Sequence, residues 1–316
     1  MAKMRWWGLA VVLMMAWAGV AKVAEAASTT GLAVTPAVQQ VTLKQDQAEV
    51  RLEVEFSNFS GVGQSFKLST TDFGSLDEEG GVAFLGDPAD KLSGRYGLAA
   101  WMTLEKDALY LPPGASQTVE VVVENKQSLS PGGHYGAVLA TAVSDQSPEN
   151  NSQVGVKQVL SSLVLVSKEG GAVPDLGLIS QLGDGGWWRL PGQLEQRFEN
   201  VGNVHVTPRG VVEVKDPLGR LVRRGALNAE SGIVLPESFR RYRTPLVSVG
   251  AAWMPGEYTI TTTYRYDGTT QTKTLTTQVW YAGMVVVWLV GVGALAAAGG
   301  LAWWLWWRPR RRRGRA

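Results

Sequence analysis

Between Trp280 and Trp307 the chain carries no charged residue over 28 positions, and RPRRRRGRA follows. A hydrocarbon layer about 30 Å thick takes roughly 20 apolar residues of helix, so this run is long enough to cross a membrane with some tilt. Trp280 and Tyr281 stand at one edge of the run and Trp303, Trp304, Trp306 and Trp307 at the other. Indole and phenol rings favour the headgroup level. Arg308, Arg310, Arg311, Arg312, Arg313 and Arg315 then form a block that resists translocation. The positive-inside rule assigns the tail (308–316) to the cytoplasm and everything before Trp280 to the outside. A buried core helix needs neither this length nor the aromatic edges nor the basic stop.

The start of the chain agrees with that orientation. Lys3 and Arg5 precede an uncharged apolar stretch from Trp6 to Val20, and Ala24-Glu25-Ala26 offers small residues for cleavage. This is the pattern of a secretory signal peptide over residues 1–26. Residues 27–279 are then exported, enough for two domains of ordinary size. The chain has no cysteine, which excludes disulfides, thiolate chemistry and cysteine metal sites. From Ala27 to Trp280 there are 21 Lys and Arg against 27 Asp and Glu, a net of −6. The part before Gly170 carries −8 and the part after it +2. An acidic outer part argues against nucleic acid as a partner.

Strand signals dominate both parts. Ala48 to Phe56 alternates apolar and charged residues, the period of a strand with one buried face. Asn58-Phe59-Ser60-Gly61 reads as a turn, Phe66 to Thr71 as a strand, and Asp72 to Gly94 as a long Gly- and acid-rich loop. Trp101–Leu104, Ala108–Leu111, Ser116–Glu124, Tyr135–Val143 and Val154–Val166 follow as strands, separated by Pro112-Pro113-Gly114, Pro131-Gly132-Gly133 and a polar loop over 144–152. The second part gives Leu176–Gln181, Trp187–Leu190, Gln193–Asn200, Gly210–Val214, an extended Leu235–Val249, and a hairpin of Tyr258–Tyr266 with Gln271–Val279. The expected fold class is all-β, with two immunoglobulin-like β-sandwich domains (27–170 and 171–279) followed by one transmembrane α-helix (280–307). The halves share ordered features: Asn58 matches Asn200, and Pro131-Gly132-Gly133-His134-Tyr135 matches Pro255-Gly256-Glu257-Tyr258.

Leu111-Pro112-Pro113-Gly114 before Thr118–Val123, then Leu129 to Val138 (LSPGGHYGAV), resembles the first domain of bacterial surface proteins that interact with WxL-domain proteins. Asn200 to Pro208 (NVGNVHVTP) and Asp216-Pro217-Leu218-Gly219-Arg220 resemble their second domain. The shared layout is a signal peptide, two immunoglobulin-like domains, one membrane helix and a short basic tail. The resemblance implies a first domain linked to peptidoglycan and a second linked to protein partners. It carries over no individual binding residue.

No constellation points to catalysis or to a cofactor. His134 and His205 are the only histidines, each beside a turn, and both are expected to be structural. Two histidines on different domains are poor material for a zinc site. Asp72, Asp77, Glu78 and Glu79 could offer oxygens to calcium, but their spacing matches no EF-hand, so a solvated loop is expected. Two features suit binding. Arg220, Arg223 and Arg224 with Arg240, Arg241 and Arg243 would make an anionic-ligand patch if their segments were neighbouring strands. Trp187-Trp188, read as part of a strand, would present one indole outward for a sugar or protein. The expected function is that of a non-enzymatic, single-span cell-surface protein binding cell-wall material (peptidoglycan or anionic polymer) or another surface protein. The alternative is an accessory or chaperone-like subunit of a membrane-bound envelope complex.

Overall fold

The computed structural model describes residues 31–85, 93–143 and 158–312. The signal peptide (1–26), the whole polar loop 144–152, residues 86–92 of the acidic loop and the last four residues of the tail lie outside the described residues.

The first sandwich contains β1 (Leu32–Thr35), β2 (Val38–Leu43), β3 (Glu49–Asn58), β4 (Gln64–Ser75), β5 (Val82–Leu85), β6 (Met102–Leu104), β7 (Ala108–Leu111), β8 (Ser116–Glu124), β9 (Gly132–Ala142) and β10 (Val159–Lys168). A helical turn, α1 (Ser93–Tyr96), precedes β6. The second sandwich contains β11 (Leu176–Gly183), β12 (Gln193–Asn200), β13 (Pro208–Lys215), β14 (Leu221–Leu227), β15 (Ser238–Pro245), β16 (Val247–Ser248), β17 (Gly256–Tyr266) and β18 (Lys273–Tyr281). Helix α2 (Gly283–Arg312) follows. One sheet of the first sandwich runs β1-β3-β8-β6 and the other β2-β10-β9-β4-β5, with β7 also on β4. The second sandwich pairs a β11-β12-β15 sheet with a β16-β14-β13-β17-β18 sheet. The fold is therefore all-β, two immunoglobulin-like sandwiches followed by one apolar helix.

The period-two strands pack as their pattern requires. Val50, Leu52 and Val54 of β3 stand opposite Val123, Val121 and Val119 of β8, with Glu49, Arg51, Glu53 and Glu55 in water. Phe56, Phe66, Leu111 and Val166 complete that core. Each such side chain contributes about 1.5–3 kcal/mol on burial. The second core is divided. One apolar cluster holds Leu194, Val212, Tyr258 and Tyr281, and another holds Leu176, Phe198, Tyr242 and Tyr264. Between the two sheets runs a hydrogen-bonded row: Thr244 to Gln196, Gln196 to Thr262, Thr262 to Gln181 and Gln181 to Thr277, each 2.7 Å.

Three expectations change. The segment from Asp72 is not a long loop: β4 continues to Ser75 and pairs with β5, making a hairpin arm. Trp187-Trp188 is not in a strand but at the tip of a turn closed by reciprocal Gly186–Arg189 backbone hydrogen bonds. The uncharged run does not become helix at Trp280, because Trp280 and Tyr281 finish β18 and Tyr281 is buried against Tyr258.

Asn58 and Asn200 occupy the same place, ending β3 and β12 opposite Leu32 and Leu176. Each donates to the carbonyl four residues on (Val62, Val204) and to a distant one (Leu111, Val234), and each accepts from the amide two residues on. Both are fully buried. The second sequence match is out of step by one residue. Gly132 and Gly256 both open an 11-residue strand at positive φ (119° and 142°), the conformation glycine permits. Counting from them, the residue that matches Tyr258 is His134, not Tyr135. His134 Nε2 faces the Ser130 carbonyl at 2.7 Å, and Tyr258 donates to Met254 at 2.8 Å, each four residues back. A one-residue offset in a strand reverses the face, so Tyr135 points out of the first sandwich rather than into it.

Asn200→Asp removes both amide donors and places a carboxylate against two carbonyls. It is expected to cost roughly 3 kcal/mol of stability at pH 7 in denaturant unfolding. The gap to wild type should narrow at pH 4, where the new carboxyl regains a proton.

Candidate functional site

The outer face of the β2-β10-β9-β4-β5 sheet is apolar. Inward residues of β9 and β10 (Val138, Ala140, Val164, Val166) join the first core, while Tyr135, Ala137 and Leu165 join Phe73 and Tyr96 on the other side. Ile233 and Leu235 from the β14–β15 connection pack onto that second face. A sheet buried on both faces reads as a continuous apolar run, and Leu163-Val164-Leu165-Val166 is one.

The hairpin arm between β4 and β5 reaches across to β12 and β15. Arg197 holds Glu78 with both ends of its fork, Nη2 to Oε1 at 2.6 Å and Nε to Oε2 at 2.8 Å. Arg241 adds Nε to Oε2 at 2.7 Å, and its amide donates to the Glu78 carbonyl at 2.6 Å. Arg243 meets Glu79 at 3.2 Å. The Arg197 hydrogen bond, joined by Arg241, draws the Glu78 carboxyl down to about 2. On the other flank, Arg95 and Tyr96 donate to Glu237 at 2.5 and 2.9 Å. The Gly133 amide donates to the Asn203 carbonyl at 2.7 Å, and the Tyr135 hydroxyl lies 3.4 Å from His205 Nδ1. Burial lowers the His205 imidazole to about 4, against the opposing charge of Asp267.

The four acids of the arm are thus all engaged. Asp72 Oδ1 accepts from the amides of Leu98 and Ala99, and Asp77 Oδ1 from those of Glu79 and Gly81. The six arginines are divided. β14 and β15 lie in different sheets. Arg241 and Arg243 meet the acidic arm, and Arg240 Nη1 donates to the Ile233 carbonyl. Arg220 holds Asp216, Arg223 donates to the Pro191 carbonyl, and Arg224 is exposed on β14. Arg197, which grips Glu78 with two hydrogen bonds, is not among the six expected arginines; it alternates with the inward Leu194, Gln196 and Phe198 on β12 and carries no signal of its own in the sequence. Trp187 and Trp188 stand together, edge to face at 5.4 Å, at the end of the second sandwich beside α2.

Within the seam lies a cavity of about 250 Å³. Val38, Phe73, Leu163, Leu165, Ile233 and Phe239 line it, and Arg240 stands at its wall. The Nε of Arg240 is buried with no hydrogen-bond partner among the described residues. The site joins an apolar slot to one cationic residue in its wall. Within α2, the 20-residue window Trp288–Trp307 is long and apolar enough to cross a membrane, and none of it is buried.

No protein-family model and no curated protein sequence matches the chain. Solved structures do. The chain is similar to one from a chaperone–tip adhesin complex of CFA/I fimbriae biogenesis, with 14% identity, TM-score 0.40, and 78% of this chain and 97% of that one covered. It is similar to the class 5 fimbriae chaperone CfaA, with 13% identity, TM-score 0.40, and 78% and 98% covered. A Salmonella enterica SafA pilin–SafB chaperone complex gives 10% identity, TM-score 0.37, and 80% and 99% covered.

The seam is expected to be acid-sensitive. His205 has a folded value near 4 against 6.5 in the unfolded chain, so the unfolded state binds the extra proton first as pH falls. Stability is therefore full above pH 6.5 and declines between 6.5 and 4, by roughly 3 kcal/mol at most. His205→Gln should flatten that part of the profile, measured as the denaturant midpoint against pH. Below it the Glu78 contribution is lost as pH falls through about 2.

Proposed function

We propose that the protein is a single-span, non-enzymatic component of the cell envelope. Its two sandwiches hold an extended segment of another envelope protein in the seam, in the manner of an accessory or chaperone-like subunit. One observation carries this reading: the seam cavity is walled by apolar side chains, with Arg240 the one cation among its lining residues. Its volume of about 250 Å³ lies below the roughly 300–1,000 Å³ of small-molecule sites. That size suits a large apolar side chain. A peptide carbonyl or carboxylate oxygen in the slot would accept from the Arg240 guanidinium among its lining residues. A sugar in the same slot would leave hydroxyls unpaired against Phe73, Leu163 and Leu165.

Wall polymer is the weaker partner for a second reason. Arg197, Arg241 and Arg243 on the basic side of the seam already face Glu78 and Glu79, so the cationic surface a polyanion needs is partly neutralised. On this reading the resemblance to surface proteins that interact with WxL-domain proteins concerns their protein-binding half. The basic tail orients the chain, with the sandwiches outside and the C-terminus in the cytoplasm.

A photocrosslinker at Val38, on the cavity wall and 44% exposed, is expected to join the full-length protein in its native membrane to one envelope protein through an apolar segment. Ser75→Leu should abolish the adduct. Ser75 lines the cavity and, two residues from Phe73 on β4, shares its face, so the larger side chain fills the slot. An adduct that survives filling would sink the proposal. So would retention on purified wall sacculi that Ser75→Leu leaves unchanged.

A further inference from the structure

The end of the second sandwich nearest α2 carries four tryptophans that the proposed function does not use. Trp187, Trp188, Trp253 and Trp280 are 54, 54, 56 and 58% exposed. They come from three separate places: the β11–β12 turn, the connection before β17, and the end of β18. All three meet at the start of the helix. The Ala282 amide donates to the Trp187 carbonyl at 2.6 Å. A Cβ on Gly283 would lie 3.0 Å from the Trp253 carbonyl, so Gly283, at φ 72°, lets the chain pass this loop and turn from strand into helix. Trp280 is two residues before Ala282. Arg220 stands 5.9 Å from the Trp253 ring.

The strand-to-helix junction leaves little freedom. Tyr281 and Ala282 are 6 and 1% exposed, so the last residues before α2 belong to the folded core. The height of these indoles above the bilayer is therefore set by the helix. From Ala282 to Trp288, where the spanning window begins, is about 9 Å of helix. The headgroup layer is roughly 5–8 Å deep on each side of the hydrocarbon. Indoles held at Ala282 reach that layer, the level amphipathic rings prefer.

We propose that Trp187, Trp188, Trp253 and Trp280 form a seat in the headgroup layer of the bilayer that α2 spans, and that this seat fixes the second sandwich against the membrane surface. The occupant of this aromatic patch is lipid, because the chain itself carries the patch to the bilayer.

The chain has no cysteine, so single-cysteine labels test the seat directly. The full-length protein, in phosphatidylcholine vesicles containing shallow nitroxide lipids, would carry an environment-sensitive fluorophore at one of three positions. Ala251→Cys lies beside Trp253 and keeps all four indoles; Trp188→Cys lies at the turn; Val62→Cys, 69% exposed on the first sandwich, is the reference. Quenching is expected to be at least three-fold stronger at 188 and 251 than at 62. Adding Trp187→Ser and Trp188→Ser to Ala251→Cys should cut quenching at 251 by half or more. Equal quenching at 251 and 62 would overturn the proposal. So would quenching at 251 that ignores loss of the two turn indoles.

Discussion

The apolar outer face of the β2-β10-β9-β4-β5 sheet is the constraint on which the arrangement depends. An immunoglobulin-like sheet with one core usually turns polar residues outward. Here Tyr135, Ala137, Leu163 and Leu165 face away from the first core, and left in water they would form a patch of the kind soluble surfaces avoid. The second sandwich covers them with Ile233 and Leu235. The charged contacts serve a different end. Glu78 with Arg197 and Arg241 is partly exposed, and pairs of that kind are individually weak. Their geometry is specific, however, because a bidentate guanidinium–carboxylate pair accepts few orientations. Apolar burial thus holds the seam closed, and the acidic arm fixes its register.

Much of the fold was legible in the sequence. β3 could be placed because one face is charged, β8 because Val119, Val121 and Val123 alternate onto one face, and the helix because 28 uncharged residues admit few other fates. The matched asparagines Asn58 and Asn200 carry the same hydrogen bonds. The site was less legible, for reasons that are physical. β1 and β2 are short and carry no period long enough to count. The arm from Asp72 contains so much glycine and acid that its pairing with β5 leaves no local signature, and Glu78 and Glu79 are satisfied by Arg197, Arg241 and Arg243 more than a hundred residues away. Tyr135 looked equivalent to Tyr258 because both follow a Pro-Gly pair. The extra glycine, Gly133, shifts one strand by a residue and sends the ring to the seam. The one signal that could have exposed the seam was the unbroken run Leu163-Val164-Leu165-Val166, which has no water face at all.

The second sandwich meets different neighbours at its two ends. Tyr242, Tyr264 and Phe198 cluster beside Val234, next to the residues that cover the first sandwich. Tyr258 and Tyr281 cluster at the other end, where the backbone becomes α2. The row of Thr244, Gln196, Thr262, Gln181 and Thr277 lies between the two clusters. Fully paired, such a row adds little net stability, yet any slip between the sheets would break several of its bonds in a dry interior. The core thus gives up some apolar burial for a fixed relation between its ends. That exchange suits a domain that has an apolar seam at one end and enters the helix without a flexible linker at the other. A single uniform core would tolerate sliding, and sliding would shift the seam relative to the helix.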